Sequence, residues 1–237
     1  MINSAMTVRE VVVELPEATR VFETLKIDYC CGGNQPLTKA CESAGVEVEN
    51  IMSMLAGLDD AEKNDQVDFQ TLSPTKLIAH IVETHHVFTK SEIDRLQALI
   101  EKVCGVHGAN HPELATVRHL FERLGADLRP HMFKEEQVLF PYIARLEHAA
   151  SHNQPAPFAP FGTVSNPIRM MMMEHDAAGS ILKELRTVTS DYQLPADACI
   201  SYQTLYQALE NLEKDLHQHI HLENNILFPK AIELEAG

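Results

Sequence analysis

HMFKEEQVLFP, residues 131–141, and HIHLENNILFP, residues 219–229, spell one pattern twice, H-x3-E-x3-L-F-P. An α-helix turns about 100° per residue, so residues four apart lie about 40° apart on one face. His131 with Glu135, and His219 with Glu223, therefore each present an imidazole and a carboxylate side by side. A single such pair is an ordinary helical contact. Two copies with the same Leu-Phe-Pro tail predict two matching halves of one site.

The surrounding apolar periodicity says where those pairs point. His131 and Glu135 share a stripe with Leu124, Leu128, Val138 and Tyr142, which predicts the buried side of that helix. His219 and Glu223 fall likewise among Leu205, Leu209, Leu212, Leu216, Ile220 and Leu227. A helix through Ile168, Met171, Met172, Leu182 and Leu185 carries His175 on its apolar face. A fourth, opened by Ser73-Pro74 and running to about Gly105, offers His85 or His86, and its spacing admits either. Ionised carboxylates in an apolar interior lose several kcal/mol of hydration unless paired or coordinated. Four imidazoles and two carboxylates suit two iron or manganese ions, with each Glu able to bridge and an oxo or hydroxo group completing the link. A structural zinc site would favour four ligands and thiolates, and the cysteines fall elsewhere.

Four long helices predict an all-α, up-down four-helix bundle over 73–237. Pro130 is expected to kink or break its helix just before His131. Residues 151–166, with Pro155, Pro157, Pro160 and Gly162, predict an unusually long crossing. Ahead of the bundle, residues 1–58 read as a small helical domain. Thr7-x-x-Glu10 is a capping box, Pro16 interrupts, Pro36 opens a short helix that Gly45 closes, and Val48, Ile51, Met52 and Leu55 suit another. The acidic stretch 59–72 reads as the linker between them.

Thirty-four Asp plus Glu against nineteen Lys plus Arg give a formal charge of −15, which repels phosphate backbones and anionic lipid surfaces. Nucleic acid and membrane are not expected partners, and a cytoplasmic protein is. Five cysteines, two of them adjacent, suit reduced thiols better than a disulfide framework.

These residues resemble the hemerythrin-like di-iron bundle. Asp28-Tyr29-Cys30-Cys31-Gly32-Gly33 is similar to the double-cysteine motif of the iron–sulfur cluster repair family, whose members carry that small domain before the bundle. The resemblance covers nearly the whole chain. It implies two non-haem iron ions, oxo- or hydroxo-bridged, in a cytoplasmic stress-response protein that helps restore clusters damaged by nitric oxide or oxidants. Its ligands fall on His86, His131, Glu135, His175, His219 and Glu223, and Glu174-His175-Asp176 fits the family's context on the third helix.

Cys30 and Cys31 are the expected reactive pair, a mobile arm on the linker that transfers iron, nitrosyl groups or electrons. Gly32-Gly33 should leave the thiols accessible, with amides free to stabilise a thiolate. Two thiols are too few for a cluster, so Cys41 or a second chain in a homodimer would have to join. Cys104 and Cys199 read as buried structural thiols, and His107, His111, His148, His152, His217 and His221 as mostly solvent-facing. The rival functions are nitric oxide reduction, revealed by turnover to nitrous oxide, and oxygen or nitric oxide binding and sensing, revealed by a stable oxygenated spectrum.

Overall fold

The computed structural model describes residues 2–59 and 68–237. Most of the expected linker, 59–72, falls on 60–67 and so lies outside the described residues. The first helix, α1 (Val8–Glu14), starts at the reciprocal cap predicted for it: Thr7 Oγ1 accepts from the Glu10 amide and Glu10 accepts from the Thr7 amide. After Pro16 comes α2 (Ala18–Leu25), then the Cys-Gly loop, α3 (Leu37–Ala44) and α4 (Val48–Asp59). Gly45 ends α3 in the left-handed region, φ 68°, where a glycine costs least. Val8, Val11, Phe22, Leu37, Ile51 and Leu55 form the apolar centre of these four helices, and Ile220 reaches into it from the bundle.

The bundle consists of four rods, three of which change pitch part-way. The first, α5, runs Pro74–His80, a π-helical turn Ile81–His86, then Val87–His107. Next comes α6, with Glu113–Lys134, a π turn Glu135–Leu139 and Phe140–Ser151; α7 is uninterrupted from Ser165 to Val188. The last, α8, runs Ile200–His221, a π turn Leu222–Leu227 and Phe228–Ala236. No helix among the described residues is long and apolar enough to cross a membrane.

Two sequence expectations fail here for physical reasons. The break before His131 does not form, and α6 runs through Pro130. Pro130 and Ala126, the residue whose carbonyl loses its helical donor, both lie on the exposed face, where water can satisfy that oxygen. Val138 is not buried but 46% exposed, and Leu139 takes the inward position at 1%. The π turn from Glu135 to Leu139 inserts about one extra residue into the register, so each later side chain is displaced around the axis.

Apolar packing is divided into two layers within the bundle. One holds Ile93, Leu96, Phe121, Leu124, Leu182 and Leu212; the other holds Leu77, Phe140, Tyr142, Ile168, Leu227 and Phe228. Each such fully buried side chain contributes about 1.5–3 kcal/mol relative to exposure. The segments between the layers carry the buried His and Glu residues. The proline-rich crossing is fastened to the second layer: the Tyr142 hydroxyl donates to Glu235 at 2.7 Å, and the Val164 amide donates to the same carboxylate at 2.8 Å.

Candidate metal centre

Three π turns out of four rods occur where the duplicated motif and its partner on α5 lie, and such turns commonly mark functional positions. They aim His86, Glu135 and Glu223 into the polar stratum, each fully buried. His131, His175 and His219 join them at 2–3% exposure. Ligand atoms of His86, Glu135, His219 and Glu223 all lie within 4.8 Å of one another, and so do those of His131, Glu135, His175 and Glu223. Both carboxylates belong to both groups.

His86 Nε2 lies 3.1 Å from His219 Nε2 and 3.5 Å from Glu135 Oε2, and His219 Nε2 lies 3.1 Å from Glu223 Oε1. On the other side, His175 Nε2 is 3.0 Å from His131 Nε2 and 3.1 Å from Glu223 Oε2, with His131 Nε2 3.3 Å from Glu135 Oε1. Octahedral ligands ~2.1 Å from one ion lie ~3 Å apart, which is the scale of these separations.

Outer hydrogen bonds fix which nitrogen carries the proton. Asn224 Nδ2 donates to the Cys30 carbonyl at 3.1 Å, so its Oδ1, 2.9 Å from His175 Nδ1, must accept from that ring. His131 Nδ1 donates to Glu174 at 2.8 Å, and His86 Nδ1 donates to Glu136 at 2.7 Å. Lys134 pairs with Glu174 and Lys90 with Glu136, so both carboxylates are held ionised. With Nδ1 engaged by these outer partners, the Nε2 atoms of His131 and His175 face each other at 3.0 Å, a separation that one shared cation can span.

Carboxylate chemistry agrees with this. Neither oxygen of Glu135 finds a hydrogen-bond partner, nor does Glu223 Oε2. Burial pushes the Glu223 carboxyl up, but His219 and His175 outweigh it and hold it well below the usual range. Burial likewise pushes His131 down, while Glu135 and Glu223 hold it up at about 9. The donor set, buried, anionic and partly unsatisfied, fits two divalent or trivalent cations of the nitrogen- and oxygen-binding kind.

The two halves of the site are related by the duplicated motif on α6 and α8. Glu136 and Asn224 each follow the motif glutamate and each orient the imidazole contributed by the preceding rod. Counterparts His85 and Glu174 differ. Glu174 accepts from His131, whereas His85 Nδ1 donates to Asp215 at 2.9 Å and its ring stacks on His219 at 5.6 Å; His219 Nδ1 has no partner. Of the two adjacent histidines on α5, it is His86 that enters the group.

Comparison with known proteins accords with this geometry. Residues 77–231 match the hemerythrin HHE cation binding domain, and residues 4–59 match ScdA_N, described as a domain of unknown function (DUF542). A probable iron-sulfur cluster repair protein of Haemophilus influenzae is 36% identical over 225 residues, covering 94% of this chain and 95% of that one. The iron-sulfur cluster repair protein YtfE of Yersinia pseudotuberculosis is 33% identical over 223 residues, 93% of each chain. ScdA of Staphylococcus haemolyticus, also named an iron-sulfur cluster repair protein, is 30% identical over 230 residues, 97% of this chain and 99% of its own. The chain belongs to the iron–sulfur cluster repair family.

In this member of the cluster repair family, the double-cysteine loop is docked on the bundle. Asn225 Nδ2 donates to the Tyr29 carbonyl at 2.9 Å, beside the Asn224–Cys30 bond, and His217 bonds Glu23 at 2.8 Å. His221, expected at the surface, is 3% exposed: it accepts from Asn225 and meets the Tyr29 ring edge-on. Burial and nearby Arg9 push its pKa down to about 4, so it stays neutral. Every residue from 219 to 228 is buried, because the docked module covers the side of α8 that a single-helix projection assigns to water.

The thiols differ from expectation. Gly32 and Gly33 do not adopt positive φ; Gly33 is required because a Cβ there would meet the Tyr29 carbonyl at 2.9 Å. The Cys30 and Cys31 amides donate to Asp28 at 3.1 and 2.9 Å and so are not free for a thiolate. Cys31 beside it, burial and Asp28 all push the Cys30 thiol well up. Their sulfurs are 3.8 Å apart. Cys41 is buried in the module's core, and among the described residues it is Asp28 that gathers with the pair. Cys31 opens onto a cavity of about 580 Å³ between module and bundle, lined also by Lys26, Asp176, Lys183 and Arg186.

Cys199 is not a buried structural thiol. It is exposed at the start of α8, and the Tyr202 amide and then His107 hold its thiol down at about 7. Alkylation with iodoacetamide at pH 7.5 is expected to label Cys199 well before Cys30, with a rate that is half-maximal near pH 7. Peptide mass spectrometry over a pH series measures this, and equal labelling would contradict it.

Proposed function

We propose that the chain holds two iron ions between His86, His131, Glu135, His175, His219 and Glu223, and with them supports repair of iron–sulfur clusters damaged by nitric oxide or oxidants. One observation carries the reading: two four-residue ligand groups in one buried stratum share both carboxylates. Iron bound there supplies redox change and affinity for nitric oxide. The chain's own residues do the rest. Glu136, Glu174 and Asn224 keep the Nδ1 proton on three of the imidazoles and point Nε2 inward. The apolar layers above and below exclude water.

Cys30 and Cys31 serve this function from the docked module. The Cys30 backbone carbonyl is joined through Asn224 to His175, and Cys31 faces the cavity where a small group or client segment can approach. Protein purified without oxygen is expected to contain two irons per chain, altered or lost after nitric oxide. Cys30→Ser with Cys31→Ser is expected to keep both irons but to fail in complementing a repair-deficient strain under nitrosative stress. Intact complementation would remove the thiols from the mechanism, and absence of iron would remove the metal.

A further inference from the structure

We propose that His107, His111 and Asp197 form a separate divalent-metal site, of the zinc-binding kind, at the far end of the bundle. His107 ends α5, 21 residues beyond His86, a distance of roughly 30 Å along the rod at about 1.5 Å per residue. His111 lies in the turn to α6, and Asp197 lies in the loop that enters α8. One ligand atom from each lies within 4.8 Å of the other two. Tetrahedral ligands about 2.1 Å from one ion are roughly 3.4 Å apart, so small side-chain movements close the group around a metal.

Three further observations support the assignment. Glu113 is 3.0 Å from His111 Nδ1 while His111 Nε2 is 2.9 Å from Asp197 Oδ1. An ion that displaced the Nε2 proton would be held by that nitrogen and Asp197, with Glu113 as the outer carboxylate that keeps the proton on Nδ1. Both imidazoles rest edge-on against Tyr202, at ring separations of 5.3 and 5.5 Å, which fixes their planes. Cys199 Sγ lies 3.1 Å from His107 Nε2, placing a thiol at the site's edge. Asp197 is exposed and both histidines partly so, which gives an ion a way in. Two imidazoles favour zinc over magnesium or calcium, and three separate segments meeting at one ion would tie the α5–α6 turn to the α7–α8 loop.

Iron-loaded protein equilibrated in a zinc buffer is expected to take up one zinc per chain with its iron retained. Asp197→Ala combined with His107→Ala should bind that zinc about 10-fold more weakly or worse, with iron content unchanged. Should that variant fail to fold, Asp197→Asn, which keeps the side chain's shape, gives the same comparison. Equal zinc uptake by variant and wild type overturns the proposal. So does zinc that appears one for one with iron lost, because that ion would sit among the buried ligands of the iron stratum.

Discussion

Glu223→Ala is expected to empty both metal positions at once. Glu223 is within ligand reach of His219 and His86 on one side and of His175 and His131 on the other, so its removal takes a donor from each group. The loss should exceed the roughly 10–100-fold in affinity that removal of an outer partner costs. Iron analysis of anaerobically purified protein measures it. His85→Ala is the control: His85 binds Asp215 and only stacks on His219, so iron content should hold. A Glu223→Ala protein that kept two irons would show that the carboxylate is not shared, and loss of iron in His85→Ala would exchange the roles of the neighbouring histidines.

The second large effect is expected from Asn224→Leu. Leucine keeps the approximate volume but withdraws the acceptor from His175 Nδ1 and the donor from the Cys30 carbonyl. Each buried polar group left unpaired costs about 1–3 kcal/mol. Because one side chain serves both, metal affinity and module docking should weaken together: about 10–100-fold in iron binding, with faster proteolysis in the Cys-Gly loop. Linkage makes the coupling reciprocal, so removing iron from the wild type should also loosen the module. Chelator titration and limited proteolysis read the two effects, and a change in one without the other would disprove the connection.

Much of the centre can be read from the amino-acid order. A four-residue spacing places His131 with Glu135 and His219 with Glu223 whatever the rest of the chain does, because both members of each pair ride on one helix. Hydropathy could not choose between His85 and His86, as both are buried. The π turn ending at His86 gives the segment a register that α-helical spacing does not describe. The same cause moved Val138 outward. His221, Asn224 and Asn225 were hidden for another reason: their burial depends on a module more than 150 positions earlier in the chain, and no single-helix pattern contains that contact.

Complete enclosure of the ligands sets a kinetic constraint. No imidazole or carboxylate of the stratum is more than 3% exposed. An ion there has no open coordination route to solvent, so exchange must wait for a rod to separate or for the module to lift from α8. Residence time then follows the frequency of opening rather than equilibrium affinity alone. A partner that contacted the module would then time the exchange of an ion bound there.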